Sequence, residues 1–271
     1  MKISKLFAKL AMLVLAAAGL SSCYIRISDK AVARLKEQIV IGSETTATKT
    51  FHPDSYRNLD IRNDWDKEFV QTEGDSVRVE ITTSDNLLDR VRVVTLRDML
   101  VIAYEGDFPR IHASEHKVVV YGPLPDTLRL SGSGNATLQN LWGDALYISL
   151  SGSGDLDAED VAVGDFRLVS QGSGDATIGR LHAGVSCSID RFGSGDLRIT
   201  GLKSPGFSLR MSGSGDARLT GEVEQARFSR NGSGSLDAAE LFAESVEIER
   251  NTGSGSLVYR RNGETVDADK D

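Results

Sequence analysis

Four aspartates recur at nearly equal spacing in the middle of this sequence, each directly after a Gly-Ser-Gly tripeptide. They are Asp155, Asp175, Asp196 and Asp216. Two kinds of chemistry suit such a pattern. Glycine-rich loops bind phosphate through their backbone N–H groups, and carboxylates held close together bind divalent cations, among which Ca²⁺ accepts many oxygen ligands.

The number of copies of the tripeptide argues against phosphate binding. A nucleotide loop is needed once, and it carries either the third glycine of GxGxxG or the Lys-Ser/Thr of a P-loop, which are both missing after these tripeptides. The copies instead recur every 19 to 21 residues, as a structural repeat does. They begin at Gly132, Gly152, Gly172, Gly193, Gly213, Gly232 and Gly253.

Apolar residues occupy fixed positions relative to each tripeptide. The residues four before, four after, six after and nine after its first glycine are mostly apolar, whereas the serine and the aspartate are polar. This alternation is typical of strands with one buried face. About 20 residues per repeat, with glycine corners that adopt positive φ at little cost, predict an all-β fold. The expected architecture is a parallel β-helix (β-solenoid) whose coils stack about 4.8 Å apart.

The N-terminal 22 residues have the pattern of a secretory signal peptide. Three lysines precede the apolar run LAMLVLAAAGL, which is short for a membrane-spanning helix. The run ends at Leu20-Ser21-Ser22-Cys23, which resembles the bacterial lipobox, where cleavage precedes a cysteine that carries diacylglycerol and usually an N-acyl chain such as palmitate. The resemblance implies a lipoprotein that begins at Cys23 and is anchored to a membrane by its acyl chains. An uncleaved anchor and an ordinary secretory signal are the alternatives.

Removal of this signal changes the charge and the cysteine content. It leaves 28 basic and 39 acidic side chains, a formal charge of −11, and such a surface repels nucleic acid. Cys187 is the one cysteine beyond Cys23, so no disulfide can form within the mature domain. His112 and His116 are four residues apart, but they flank the start of a predicted strand and do not indicate a metal site.

Segments on both sides of the repeats have their own patterns. Residues 23–50 are polar and mostly lack alternation, which predicts a tether. Within it, one short helix would have an apolar face made of Ala31, Val32, Leu35 and Ile39. From residue 51 onward, stretches such as SVRVEIT and HKVVVYG predict irregular β-strands. Regular repeats cover about 126–260, and residues 261–271 predict a polar tail.

A family resemblance follows from the repeats and the strands before them. The SGSGD units, preceded by SDNLLDRVRVVTLRDMLVIAYEGD and HKVVVYGPLPDTLRLSGSG, resemble the head GIN domain of Gram-negative envelope proteins, a family also described as autotransporter adhesins. The similarity covers residues 51–260. It implies a β-helical fold and a location in the cell envelope or at the cell surface, and it brings no catalytic residues.

The four repeated aspartates, which we call the aspartate ladder, have two interpretations. Stacked about 4.8 Å apart, neighbouring carboxylates repel by about 0.9 kcal/mol in water and by several times more at a lower effective dielectric. In the first interpretation they point into solvent and accept hydrogen bonds from serine or backbone N–H groups at the corner. In the second, a divalent cation, with Ca²⁺ the best fit, bridges the ladder.

Two arginines interrupt a column that is otherwise mainly apolar. Two residues before the first glycine, the repeats carry Leu130, Leu150 and Met211 but also Arg191 and Arg230. Inward-facing arginines without partners would be unfavourable. Either this position is a partly exposed edge, or the arginines pair with acidic neighbours such as Asp190. In a functional interpretation they form a small anion spot that holds a carboxylate or sulfate of a glycan.

The placement of the charged residues argues against catalysis. Enzymes that cleave polysaccharides place unique carboxylates in one groove, whereas the prominent aspartates here follow the repeat. Trp65 and Trp142, the two tryptophans, are more typical of core or loop anchors than of sugar platforms. The sequence therefore predicts no enzyme, no resident metal and no cofactor.

A lipid-anchored envelope module that binds another envelope protein or a polysaccharide is the function that the sequence favours. A structural scaffold without a ligand and a carbohydrate-active β-helix enzyme are the alternatives. A binding module should have one face whose outward residues depart from the repeat, and a scaffold should have none. Ile25 stands where some lipoproteins carry an aspartate that retains them in the inner membrane. We therefore expect an outer-membrane lipoprotein that faces the periplasm or the cell surface.

Overall fold

The structure is a computed structural model, and it describes residues 39–105, 110–113, 115–261 and 263–269. The described residues from Ile41 onward belong to one compact unit. The predicted signal peptide, the lipidation residue Cys23 and most of the predicted short helix lie outside the described residues. Within the described ranges, no helix is both long and apolar enough to cross a bilayer.

The described residues form nineteen strands and one 3₁₀ helix, Asp85–Arg90. The strands before the repeats are β1 (Ile39–Ile41), β2 (Thr46–Phe51), β3 (Asn58–Ile61), β4 (Asp66–Gln71), β5 (Arg78–Ser84), β6 (Val91–Leu96), β7 (Met99–Tyr104), β8 (Arg110–His112) and β9 (His116–Gly122). The remaining strands are β10 (Thr127–Gly132), β11 (Ala136–Gln139), β12 (Leu141–Gly152), β13 (Leu156–Gly172), β14 (Ala176–Gly193), β15 (Leu197–Gly213), β16 (Ala217–Gly232), β17 (Leu236–Thr252), β18 (Leu257–Arg261) and β19 (Glu264–Asp267).

The strands that contain the repeats stack as a parallel β-solenoid of about seven turns. Strands β13 to β17 each run through 16 to 18 residues, bending around nearly a whole coil. Each pairs in parallel with the strand one coil earlier, so that Gly152, Gly172, Gly193 and Gly213 lie in register. The predicted all-β parallel β-helix is confirmed.

The apolar columns face the interior of the solenoid. Leu128, Ile148, Leu168, Ile189 and Leu209, which all stand four residues before a first glycine, are completely buried. Because each coil covers the column of the coil before it, every such side chain contributes roughly 1.5–3 kcal/mol of hydrophobic stabilisation. The inward positions that the alternation predicts are therefore the core.

The first glycine of each tripeptide turns a corner that is unfavourable for residues with a side chain. Gly172 has a φ of +132°, which L-residues with side chains rarely adopt. A Cβ on Gly172 would also lie 1.9 Å from the carbonyl oxygen of Gly152 in the preceding coil. Both constraints act at equivalent positions in successive coils, which explains why the tripeptide recurs.

Parallel stacking begins before the first tripeptide. Strand β3 pairs in parallel with β10 and with β7, and β4 pairs in parallel with β11 and with β9. Strand β2 pairs antiparallel with β5, so the fold includes residues from Thr46 onward, inside the segment 23–50 that was predicted as a tether. The prediction is wrong for this part because TATKTF has little apolar alternation: β2 is mostly exposed and forms through backbone pairing.

The end of the chain also differs from the expected polar tail. Strands β18 and β19 form an antiparallel hairpin that includes Glu264–Asp267. Beyond it, Asp269 accepts a hydrogen bond from the N–H of Leu257 at 2.8 Å and pairs with Arg230 at 3.3 Å. The composition of the segment 261–271 predicts a solvated tail because the partners of Asp269 are distant along the chain and cannot be recognised from the segment itself.

Candidate functional site

Each carboxylate of the aspartate ladder accepts a hydrogen bond from the next coil. The N–H groups of Asp175, Asp196 and Asp216 donate to Oδ1 of the aspartate one coil earlier, at 2.9, 2.7 and 2.8 Å. Hydrogen bonds to an ionised acceptor are roughly twice as strong as neutral ones, so these bonds offset the repulsion between stacked carboxylates. This is the geometry of the turn interpretation.

The ladder continues in both directions beyond the four aspartates. Asp66 accepts the N–H of Asn135 at 3.0 Å, and Asn135 accepts the N–H of Asp155 at 3.0 Å. At the other end, Asp216 accepts the N–H of Ser235 at 2.7 Å. A short polar side chain at this corner position is therefore a structural requirement, and aspartate, asparagine and serine all meet it.

Asp66 was missed in the sequence because its coil has no tripeptide. The register of β3 and β4 aligns RNDWDK with SGSGNA of the following coil. Asn63 occupies the corner in place of Gly132 and also has a positive φ, of 72°. The available signal was asparagine, the residue that most readily replaces glycine at positive φ, followed three residues later by an aspartate.

The structure brings the ladder aspartates together without forming a metal cluster. Among the described residues, no group of three or more His, Cys, Asp or Glu side chains lies close enough to hold a metal ion. The bridging Ca²⁺ stays a prediction, and the described geometry accounts for each carboxylate by backbone N–H groups.

Arg191 and Arg230 lie inside the solenoid. Arg191 is 6% exposed and Arg230 is 1% exposed, so the expectation of a partly exposed edge is wrong for both. The column two residues before the first glycine faces inward, and burial separates both guanidinium groups from the outer surface on which a glycan anion would bind. Asp190, the proposed acidic partner, pairs instead with Arg167 at 3.2 Å.

The two buried arginines differ in how completely they are hydrogen bonded. Arg230 donates from Nε to Asn251 at 2.7 Å and from Nη1 to the carbonyl oxygen of Gly234 at 3.2 Å, in addition to its ion pair with Asp269. Arg191 donates from Nη2 to the carbonyl oxygen of Gly174 at 3.4 Å, while its buried Nη1 has no hydrogen-bond partner in the described part of the chain.

A buried lysine follows the same pattern in the coil before the first tripeptide. Lys67 donates from Nζ to the carbonyl oxygens of Trp65 at 2.6 Å and Gly134 at 3.0 Å. Burial lowers the pKa of Lys67 to about 8, partly opposed by Asp64 and Asp66. Sequence analysis missed Lys67 because it stands in a column that is otherwise apolar.

Each interior cation bonds the carbonyl of a second tripeptide glycine, beside the aspartate ladder. The N–H of Asp175 donates to a side-chain carboxylate. It is therefore not available to the carbonyl of Gly154, which would accept it in regular parallel strand pairing. The second glycine of a tripeptide is thus left with an inward carbonyl that needs another donor. Cationic side chains supply that donor at Gly134, Gly174 and Gly234.

The interior cations also neutralise the ladder from within. Burial lowers the pKa of Arg191, and the nearby carboxylates of Asp175 and Asp196 oppose this shift. The same relation holds between Lys67 and Asp66. The protein therefore provides positive charge of its own on the inner side of the ladder.

One outward column, which we call the variable face, departs from the repeat. Its residues occupy equivalent positions in six successive coils and are Trp142, Ala162, His182, Lys203, Glu222 and Phe242. The strand register shifts along this side of the solenoid, between Val163 and Asp165 and between His182 and Cys187.

Two aromatic side chains are exposed at opposite ends of the variable face. Trp142 is 54% exposed and Phe242 is 52% exposed. The backbone of Trp142 is held on both sides by the amide of Gln71, which accepts its N–H and donates to its carbonyl oxygen, each at 2.8 Å. The side chain of Trp142 therefore points into solvent and is not the core or loop anchor that was expected. Trp65 is completely buried, as expected for a core residue.

Two open cavities lie along the variable face. One has a volume of about 570 Å³ and includes Asp144, Asp165 and Val185 in its lining. The other has a volume of about 360 Å³ and includes Lys203, Glu222 and Phe242 among its lining residues. His182 and Gly184 line both, so the cavities are neighbours on one surface.

Solved structures with a similar fold come from several bacteria. A "putative adhesin" from Parabacteroides distasonis ATCC 8503 has a TM-score of 0.60 and 21% identity, covering 81% of this chain and 98% of that one. A "putative adhesin" from Bacteroides fragilis NCTC 9343 has a TM-score of 0.66 and 16% identity, covering 80% and 98%. A "putative lipid binding protein" from Parabacteroides distasonis ATCC 8503 has a TM-score of 0.63 and 16% identity, covering 82% and 100%.

Sequence profiles identify the family. No curated protein matches the chain. The profile described as "Putative auto-transporter adhesin, head GIN domain" matches residues 55–183 and 182–269, which together include strands β3 to β9, the tripeptide coils and the C-terminal hairpin. This chain therefore belongs to the head GIN domain family.

Proposed function

We propose that this chain is a non-catalytic binding module of the bacterial cell envelope and that the variable face is its binding surface. The observation that carries the proposal is the exposure of Trp142 and Phe242 on a column that departs from the repeat. Large exposed aromatics are unfavourable in water and are enriched in recognition surfaces.

The similar structures support this proposal at the level of their descriptions. Two of them are described as adhesins and one as a lipid-binding protein, and the family description also names an adhesin. The shared part of the architecture in such a module is the stack of coils, and recognition is carried by outward residues that the stack leaves free to vary.

A membrane anchor at Cys23 completes the proposal. The lipobox resemblance of Leu20-Ser21-Ser22-Cys23 supports it, and acyl chains would hold the module at the outer membrane. The test is metabolic labelling with palmitate in a Gram-negative host. We expect label and membrane sedimentation for the wild type and loss of both for Cys23→Ser; an unlabelled wild type would contradict the anchor.

Binding through the variable face is tested separately, with the chain lacking residues 1–23. We expect saturable binding to isolated bacterial envelopes that is lost in the double variant Trp142→Ala, Phe242→Ala. The matched control is Phe192→Ala, which removes a 46% exposed aromatic located directly before a tripeptide glycine, outside the variable face. Equal binding by the double variant and the wild type would refute the assignment of the surface.

A further inference from the structure

We propose that the ligand of the variable face is a non-acidic glycan chain, composed of neutral or amino sugars, that lies along the solenoid axis. This inference rests on the proposed function and names the ligand class of the same surface. It follows from the spacing of the two aromatics, the polar groups between them and the sign of the surrounding charge.

The spacing of the aromatics indicates an extended ligand. Trp142 and Phe242 are five coil steps apart through Ala162, His182, Lys203 and Glu222. At about 4.8 Å per step, their backbones are separated by roughly 24 Å, which is longer than a single sugar and suits a chain of several. Each aromatic offers a flat apolar surface against which the apolar face of a sugar ring can be buried.

The groups between the aromatics suit a ligand rich in hydroxyl groups. Exposed carboxylates of Glu222 and Glu224 accept hydrogen bonds, and Lys203 donates them. They line the cavity of about 360 Å³ that also includes Phe242, a volume typical of sites for small ligands. An apolar peptide helix would leave these charged groups buried without partners, which is unfavourable.

The charge of the two cavities selects among glycans. Their linings include five carboxylates but two basic side chains, Lys203 and His182. The carboxylates are those of Asp144, Asp165, Glu222, Glu224 and Glu244. Uronic acids, sulfated sugars and phosphorylated lipid headgroups would be repelled by this surface, whereas uncharged sugars would not and the ammonium group of an amino sugar would be attracted.

The test is isothermal titration of the chain lacking residues 1–23 with short oligosaccharides. The probes are oligomers of glucose, of N-acetylglucosamine, of glucosamine and of galacturonic acid. We expect binding of at least one of the first three and no binding of the galacturonic acid oligomers. Trp142→Ala and Phe242→Ala should each weaken binding about five-fold or more, because one aromatic contact contributes about 1 kcal/mol. Phe192→Ala should not weaken binding. Thermal melting of each variant verifies that it is folded.

Three results would overturn the inference. Galacturonic acid oligomers that bind as tightly as the others would contradict the role of the carboxylates. Glycan binding that survives both aromatic substitutions would place the glycan elsewhere. Absence of all oligosaccharide binding, with envelope binding that still depends on Trp142 and Phe242, would mean a protein partner and would leave the proposed function intact. Absence of envelope binding as well would refute the proposed function itself.

Discussion

Replacing Gly172 by alanine tests the physical reason for the repeated tripeptide. The substitution adds one methyl group, at a φ of +132° and 1.9 Å from the carbonyl oxygen of Gly152. The backbone conformation alone costs about 1–3 kcal/mol for a residue with a side chain. Relief of the overlap costs a further 1–3 kcal/mol or so. It also disturbs the hydrogen bond from the N–H of Ser173 to Gly152, 3.1 Å long and worth about 1 kcal/mol.

The expected loss for Gly172→Ala is therefore about 3–7 kcal/mol, a large part of the stability of an ordinary domain. Two matched glycines separate the contributions. Gly74 has a φ of +81°, but no atom lies within 4 Å of the position that a methyl group would occupy, so Gly74→Ala should lose about 1 kcal/mol. Gly206 has open space and no positive φ, so Gly206→Ala should change stability by less than about 0.5 kcal/mol or increase it slightly.

Equilibrium unfolding in urea, followed by circular dichroism, measures these differences. The slope of the unfolding free energy against urea concentration must be the same for each variant and the wild type, because repeat arrays can lose cooperativity and the free energies would then not be comparable. If Gly172→Ala lost no more stability than Gly74→Ala, the close approach of successive coils would not be the constraint that maintains the tripeptide, and the explanation of the repeat would fail.

Four further predictions concern buried and stacked polar groups. Arg230→Met should cost about 1–3 kcal/mol in urea unfolding because it leaves the buried carbonyl of Gly234 without this donor and removes the bonds to Asn251 and Asp269. Arg191→Met should cost less, because it removes one hydrogen bond, of 3.4 Å to Gly174, from a guanidinium whose Nη1 has no partner in the described part of the chain. Equal losses would contradict this ranking. Asp175→Asn keeps an acceptor for the N–H of the next coil and should melt at the wild-type temperature or higher, whereas Asp175→Ala should lower the free energy of unfolding by about 1–2 kcal/mol. If calcium stabilised the wild type and Asp175→Asn abolished this effect, a bridging cation would be indicated instead. Burial lowers the pKa of Lys67 to about 8, below its value in the unfolded chain of about 10.4. Between these pH values the unfolded state binds more protons than the folded state, so the free energy of unfolding should rise with pH across that window. Lys67→Met should remove this rise, and identical pH profiles for the variant and the wild type would refute the prediction. Burial raises the pKa of the Cys187 thiol and shields it from reagents. A thiol reagent should therefore label Cys187 at the rate at which the protein unfolds, more slowly than it labels an exposed thiol. Immediate labelling of the folded protein would contradict the burial of Cys187.

The coil repeat was predictable because its cause is local and periodic. A first glycine at positive φ stands in each tripeptide coil, and alternating apolar residues on both sides of it face the same interior. Stacking repeats these constraints at every turn, so the period of about 20 residues, the solenoid and its buried columns are readable from residue order. The aspartate ladder was found in the same way, since Asp155 and Asp175 stand at equivalent repeat positions.

Other features depended on which groups the neighbouring coils leave unsatisfied. Arg191 and Arg230 look like surface residues in sequence, yet they are buried and donate hydrogen bonds to glycine carbonyls inside the solenoid. Lys67 and Asp66 belong to the same architecture, but their coil replaces the glycines by other residues and thereby conceals its register. Strand β2 forms through pairing with β5, for which its own residues give little indication.

The amino-acid sequence by itself determined the repeat, the β-solenoid and the family of this protein, because glycine corners and side-chain alternation act within one coil and recur along the chain. Only the tertiary structure decided which residues form a candidate binding surface. Trp142 and Phe242 each stand ten residues after the first glycine of a tripeptide, so the repeat places them in one column. Only the folded coils show that both side chains are exposed. Residues that recur in every coil maintain the stack, whereas recognition requires outward residues that differ between coils, and sequence periodicity does not reveal which of those side chains are exposed beside a cavity.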